Sequence, residues 1–346
     1  MPFRRFSALA LVSCSYRSCT GAMPSRPRNF FSVFPPASQA VSFSSYPATL
    51  ASGDDFYVLS SGLIEMETTI GNSNAALAAR FISPLSVLEW VRNIVANRLA
   101  SSCVEWPDYY RRFNSGTYNN MNMCFDYNVF KPGKPLTAGT FIIAEQIPGF
   151  LRTNDLSAKL DSDRYFGSYN VAYDEFIRGR SGADINVEKY GGWYSYNETA
   201  RAKIFRRDAP KVADLAGMRK LMRSCEYKTD PLSTQLDSCK YRGWTNCTPA
   251  FTAENCIATR GDLNPSNGVY SIDAYAHRNH VATDSKISQF STYDRKSLPA
   301  DIVSGPVGAA DNTATPDFVW SESTFSKLPH HGMPDRMAFP WQRVEF

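Results

Sequence analysis

Between residues 55 and 69 apolar and polar side chains alternate, Ile64, Met66 and Thr68 against Glu65, Glu67 and Thr69. A period of two belongs to a strand, so the stretch predicts one or two strands broken near Gly62, with Thr69 on the polar face. Residues 123–130 repeat the alternation, Met123, Phe125, Tyr127 and Val129 against Cys124, Asp126 and Asn128, and residues 140–147 are a second apolar run. The turn-forming Lys131-Pro132-Gly133-Lys134-Pro135 between them predicts an antiparallel pair. Over residues 84–100 the period becomes helical, opened by Ser86 and Glu89 as a capping box and carrying Leu88, Val91, Val95 and Leu99 down one side. Shorter helices are expected at 155–160 and 212–223. The Pro-, Gly-, Asn- and Ser-rich residues 230–346 read as loops and short strands over the body. Strands in succession with helices between them fit an α+β layered fold better than a doubly wound one, and no GxGxxG or Walker-type loop suggests a nucleotide.

Composition adds bounds. The 346 residues are 43% hydrophobic and 13% aromatic, enough for a large core in one domain or two. The net charge of +4, from 37 basic and 33 acidic residues, supplies no single-sign field for nucleic acid or an acidic membrane. Beyond the first 25 residues no run approaches the roughly 18 consecutive apolar residues of a membrane span.

Four of the eight cysteines, Cys225, Cys239, Cys247 and Cys256, fall close together in a loop-rich stretch, and no CxxC pair suggests structural zinc. Local disulfides and buried free thiols both fit the cluster. The sequon Asn246-Cys247-Thr248 within it favours disulfides, with Cys239 bridging Cys247 across the short loop; Asn197-Glu198-Thr199 is a second sequon. The first 53 residues hold five Arg, no Lys and no acid. That composition fits a signal peptide, a transit peptide or a mis-assigned start, so residues 1–40 are set apart from a domain over 41–346.

Several ordered strings carry a resemblance: Phe43-Ser-Ser-Tyr-Pro47, Ser52-Gly-Asp-Asp-Phe56, Glu67-Thr-Thr-Ile-Gly-Asn72 and Arg112-Phe-Asn-Ser-Gly-Thr-Tyr-Asn-Asn120, then Glu145-Gln-Ile-Pro-Gly149, Ser168-Tyr-Asn170, Arg201-Ala-Lys-Ile-Phe205, Asp262-Leu-Asn-Pro265 and Ser304-Gly-Pro306. Together they resemble the phospholipase B-like family from about Val41 onward. The resemblance implies the four-layer αββα sandwich of N-terminal-nucleophile hydrolases and a lysosomal or extracellular location. It also implies cleavage of fatty-acyl esters of phospholipids, or of N-acyl amides, by a cysteine whose own α-amino group is the general base. No cofactor or metal is implied, and nothing indicates the oligomeric state.

Three positions carry over from the family. Asn170 matches the oxyanion-hole asparagine, Arg201 an active-site arginine, and Thr69 a threonine of the same pocket. Without the resemblance Asn170 reads as a turn residue, Arg201 as the start of a solvated strand face with Lys203, Arg206 and Arg207, and Thr69 as a surface threonine. In the Arg112–Asn120 string Ser115, Asn119 and Asn120 read as structural, its Asn-Ser-Gly core as a tight turn, Arg260-Gly261-Asp262 as a chance tripeptide, and His330 and His331 as surface or packing residues. The family's nucleophilic cysteine leads a segment with a His-Asp-x-Trp motif, and neither His nor motif precedes Val41. The nucleophile is therefore expected to be missing and the chain as written to be catalytically incompetent. Cys14, followed by Ser15, is the candidate replacement, although the Pro- and Ser-rich 23–40 suits no central strand. A non-catalytic lipid-binding or structural glycoprotein is the alternative function.

Overall fold

A computed structural model of the chain describes residues 16–17, 37–38, 40–45, 49–312 and 314–345. Its strands are β1 (Tyr16–Arg17), β2 (Val41–Phe43), β3 (Phe56–Leu59), β4 (Leu63–Thr69), β5 (Asn120–Asp126), β6 (Phe141–Ile147), β7 (Phe150–Asp155), β8 (Val281–Ala282), β9 (Asp284–Ile287), β10 (Ala300–Ser304), β11 (Phe318–Val319), β12 (Arg336–Met337) and β13 (Gln342–Val344). The helices are α1 (Ala75–Phe81), α2 (Glu89–Leu99), α3 (Trp106–Tyr110), α4 (Ser157–Asp163), α5 (Glu175–Ser181), α6 (Ala183–Tyr190), α7 (Ala200–Asp208), α8 (Leu215–Met222) and α9 (Leu236–Tyr241). The class is α+β.

The alternating stretches make the centre of a six-stranded antiparallel sheet in the order β2-β3-β4-β5-β6-β7. Gly62, at φ 94°, turns the chain between β3 and β4, where an added Cβ would lie 2.3 Å from the Asn128 side-chain oxygen. In register, Ile64, Met66 and Thr68 oppose Phe125, Met123 and Met121, and Glu65, Glu67 and Thr69 oppose Cys124, Asn122 and Asn120. The first set joins Val58, Phe141 and Ile143 in a core closed by Leu160 of α4, Ile177 of α5, and Leu298 and Ala300 at the start of β10. β9, β10 and β13 form a second, three-stranded sheet, and Ile287 on β9 packs among α7 and α8 side chains including Phe205 and Leu221. The expected 123–130 strand begins and ends earlier, at Asn120 and Asp126, because the chain already turns at Asn128, whose N–H donates to Asp126 Oδ1 at 2.8 Å.

The opposite face corrects two expectations. Glu65 and Glu67 are buried, beneath α2 and α3, so the polar face of β4 is a second interior. The helix over 84–100 is shorter than expected and turned the other way. It starts at Glu89, Ser86 Oγ donates to the Ser83 carbonyl instead of capping, and Leu88, Val95 and Leu99 are exposed while Glu89, Arg92, Asn93, Ala96 and Asn97 are buried. An apolar stripe marks two unlike helix faces; which one meets the sheet depends on what the sheet offers. Here the sheet offers Glu65, Glu67, Asn120, Asn122 and Gln146, and buried polar groups are tolerated only against partners. Asn93 Nδ2 donates to Glu65 Oε2 at 3.3 Å, Arg92 Nη2 to Gln146 Oε1 at 2.6 Å, Trp106 Nε1 to Asn97 Oδ1 at 2.7 Å, and Asn120 Nδ2 to Glu67.

The basic run from Arg201 also differs from its reading as a strand face: it is α7, capped by Thr199, whose hydroxyl accepts from Ala202 N at 3.1 Å. All six cysteines among the described residues are paired, Cys103–Cys124, Cys225–Cys256 and Cys239–Cys247. The last is the bridge expected from the short loop. Cys14 and Cys19 lie outside the described residues.

Cys225–Cys256 spans a sequence separation of 31, so opening it should cost about 3–4 kcal/mol by the loop-entropy relation. Urea unfolding of the Cys225→Ala, Cys256→Ala double variant is the check. A loss below about 1 kcal/mol would contradict the bridge's place in the fold.

Candidate active site

Where β4 ends, Thr69 leaves its hydroxyl at the surface, donating to Tyr118 Oη at 3.3 Å, and Tyr118 Oη donates to Asp55 Oδ1 at 3.4 Å. Tyr118 comes from the loop before β5, which is fixed by its own Asn-Ser-Gly core. Gly116 N–H donates to Asn114 Oδ1 at 2.8 Å, Asn114 Nδ2 donates to the Ile147 carbonyl at 3.1 Å, and a Cβ on Gly116 would lie 2.6 Å from Pro148 Cα. Ser115 is buried and Asn120 bonds Glu67.

Asn170 sits in the loop between α4 and α5 at φ 60°, a left-handed conformation that Asn tolerates better than most residues. Two anchors hold that loop. Ser168 Oγ pairs with Thr68 Oγ1 of β4, and the Glu145 carboxyl of β6 accepts the Tyr173 and Asp174 N–H groups, each at 2.7 Å. Burial pushes the Glu145 carboxyl up to about 7, against those two donors. The Asn170 side chain is held at both ends: Nδ2 donates to the Thr69 carbonyl at 2.8 Å, and Oδ1 accepts from Arg201 Nη1 at 2.9 Å. A guanidinium only donates and a carbonyl only accepts, so these partners fix the orientation of the carboxamide. Arg201, in the first turn of α7, also donates to the Tyr169 carbonyl at 3.4 Å.

Thr69, Asn170 and Arg201 thus meet at one edge of a cavity of about 470 Å³. Its other wall comes from the loop-rich C-terminal part: Trp193, whose Nε1 donates to Asn255 Oδ1 at 2.7 Å, Tyr194, and the cluster Glu254, Arg278 and His280. Asp55, Tyr118, Trp193, Glu254, Arg278 and His280 were not singled out in the sequence. All but Trp193, which lies in the short 3-10 turn Gly192–Tyr194, lie on loops, where no periodicity marks a side chain that faces a cavity. A larger cavity of about 540 Å³ lies under α7 and α8, where Arg207 pairs with Asp208 and Asp230 and Lys211 pairs with Asp208.

The remaining candidates lie elsewhere. Arg260 is buried and folded back on Asp262, with Nε–Oδ1 2.8 Å and Nη2–Oδ2 2.7 Å, so the Arg-Gly-Asp tripeptide is not displayed. His330 stacks on Trp320 with ring centroids 4.8 Å apart, and His331 is exposed. Among the described residues no helix is long and apolar enough to cross a membrane, and no group of three or more His, Cys, Asp or Glu is placed to hold a metal ion.

A family model described as Phospholipase B matches residues 32–344. The mouse protein named "Putative phospholipase B-like 2" is 44% identical over 304 residues, covering 87% of this chain and 48% of its own length. The human protein of that name is 45% identical over 306 residues, 88% of this chain and 49% of its own length. "Putative phospholipase B-like 1" of Caenorhabditis elegans is 43% identical over 304 residues, 87% and 51%. The chain spans about half the length of the curated relatives it matches.

Proposed function

The chain belongs to the phospholipase B family, and from that membership we propose that the Thr69–Asn170–Arg201 cavity is the oxyanion and orienting side of an acyl-hydrolase site of the N-terminal-nucleophile type. One observation carries the reading: the Asn170 carboxamide, on a strained left-handed backbone, is clamped between the Thr69 carbonyl and Arg201 at a cavity edge. Strain held in place by several partners is costly, and such positions cluster at functional sites. The four-layer αββα arrangement is part of the proposal. α2 and α3 on one face of the large sheet, β10 on the other, and α7 and α8 over β9 support it.

In this mechanism a cysteine thiol attacks the acyl carbonyl of a phospholipid ester or N-acyl amide, and its α-amino group takes the thiol proton. The carbonyl oxygen becomes an oxyanion. Asn170 spends one Nδ2–H on Thr69 and has a second to give to that oxygen. Arg201 keeps the carboxamide from rotating and adds positive charge beside the developing anion. Collapse expels the alcohol or amine, which takes the proton from the ammonium, and water then releases the fatty acid from the thioester. All six described cysteines are in disulfides, so the thiol would come from Cys14, Cys19 or sequence that the longer relatives have and this chain does not span.

That same pairing favours a second reading, a lipid-binding relative without turnover. Fatty-acid release from phosphatidylcholine, an N-acyl amino acid and a ceramide, followed by mass spectrometry, separates the two. Release blocked by a thiol reagent supports hydrolysis. Lipid binding with no release from any substrate, in a preparation with a free N-terminal cysteine, refutes it.

We propose further that the protein matures in the secretory pathway, in a lysosomal or extracellular compartment. Three disulfides and the exposure of both sequon asparagines, Asn197 and Asn246, support this. Glycosidase treatment of the protein from a eukaryotic host should increase its gel mobility by two glycans. Unchanged mobility together with eight free thiols would rule the proposal out.

A further inference from the structure

On the wall of the cavity away from Asn170, Glu254 is buried and accepts at both oxygens. Arg278 Nη2 lies 2.9 Å from Oε1, and His280 Nδ1 lies 2.9 Å from Oε2 and 3.0 Å from Arg278 Nη2. An ionised carboxylate has no hydrogen to give. The arrangement that satisfies it has Nδ1–H of His280 and Nη2–H of Arg278 each donating to one oxygen. The guanidinium is thereby anchored through Nη2. Its other terminal nitrogen, Nη1, makes no hydrogen bond among the described residues, and the Arg278 side chain is 38% exposed while lining the cavity.

The backbone beneath is as constrained as the side chains. Gly261 N–H donates to the His280 carbonyl at 2.9 Å and Arg278 N–H to the Gly261 carbonyl at 3.2 Å. An added Cβ on Gly261 would lie 3.0 Å from the His280 oxygen and 3.4 Å from Glu254 Oε2, so the two segments pack closely beside the cluster and a larger residue would have to push the His280 carbonyl aside. Glu254 itself follows Ala253, whose N–H donates to Asn264 Oδ1 at 2.8 Å, and precedes Cys256 of the Cys225–Cys256 bridge.

A buried carboxylate that anchors a cavity-lining arginine, with one terminal nitrogen left over, suits that arginine to an oxyanion, because a guanidinium only donates and matches carboxylate and phosphate oxygens. We propose that Arg278, aimed by Glu254 and positioned with His280, is the specificity-determining residue that holds the anionic polar end of the acyl substrate, while Asn170 and Arg201 serve the reacting carbonyl. The proposal rests on reading this cavity as the substrate site. The group recognised is a phosphodiester or a carboxylate, as in a glycerophospholipid or an N-acyl amino acid, and one nitrogen can donate to an oxygen of either.

Calorimetric titration of the whole chain with glycerophosphocholine and with N-acetylglycine, beside uncharged glycerol and N-acetylglycinamide, tests this without turnover. The intact protein should bind at least one charged ligand tenfold or more tightly than its uncharged counterpart. Arg278→Gln should abolish that difference, and the ligand affected identifies phosphate or carboxylate. Arg278→Lys, which keeps the charge beside Glu254 but loses the fork, should weaken the same ligand several-fold and covers the case in which Arg278→Gln does not fold. Equal binding of charged and uncharged ligands by the intact protein, or unchanged affinity in a folded variant, overturns the proposal. Binding that depends on Arg278 without acyl release would defeat only the hydrolase reading, and hydrolysis unaffected by Arg278→Gln only this one.

Discussion

Replacing Asn170 by alanine should lower turnover of the fatty-acid-releasing form about 10²–10³-fold, about 2.7–4 kcal/mol of transition-state stabilisation, the usual cost of losing an oxyanion donor. The substitution also removes a side chain from a left-handed backbone, so a second cost must be separated from the first. Alanine at φ 60° is worth about 1 kcal/mol of folding free energy, whereas glycine at the same position relieves the strain. Asn170→Gly should therefore be folded at least as well as Asn170→Ala and yet be equally slow. Arg201→Lys should lose roughly tenfold, because a point charge cannot serve the Asn170 oxygen and the Tyr169 carbonyl together. Near-normal rates in all three variants would remove Asn170 and Arg201 from the reaction.

The second large effect concerns pH and stability. Burial pushes the Glu65 and Glu67 carboxyls well above their usual range. Glu89 beside them rises from 4.5 to about 7, burial outweighing the Tyr110 hydroxyl and Arg92 that favour its charged form. Groups raised by folding prefer to be protonated in the folded state. Their contribution is whole below the unfolded value near 4.5 and is lost as pH climbs through the folded values. For Glu89 alone the difference is about 3 kcal/mol. The protein should therefore melt at a clearly higher temperature at pH 5 than at pH 8. Glu89→Gln, which keeps an acceptor for the Tyr110 hydroxyl, should flatten the slope. Stability that is level or rising across that interval would show that the three carboxyls are ionised and matched by counter-charges among their neighbours.

The same buried layer explains what the sequence conceals. The alternation in β4 was legible, because period two survives whatever lies on either side. What lies over each face is a tertiary fact, and Glu65 and Glu67 looked solvated because polar side chains usually are. For α2 the stripe of Leu88, Val95 and Leu99 was visible but pointed outward, since Arg92, Asn93 and Asn97 found partners on the sheet and leucines could not have supplied them. α5, α6 and α7 are seven to nine residues long, too short for a helical period to stand out. At the cavity edge, Thr69, Asn170 and Arg201 were singled out only through resemblance, since an asparagine in a tyrosine-containing stretch and a basic run carry no chemistry of their own. Glu254 was hidden because its partners Arg278 and His280 are 24 and 26 residues away, brought near by the close packing at Gly261.

The most direct test of the hydrolase reading is the structure of the fatty-acid-releasing form trapped as a covalent adduct with an acylating lipid analogue. The expected adduct is a cysteine-bound acyl group whose oxygen lies about 2.7–3.1 Å from Asn170 Nδ2, with Arg201 still holding the carboxamide. An adduct on another residue, or on a cysteine with its oxygen directed away from Asn170, would contradict it.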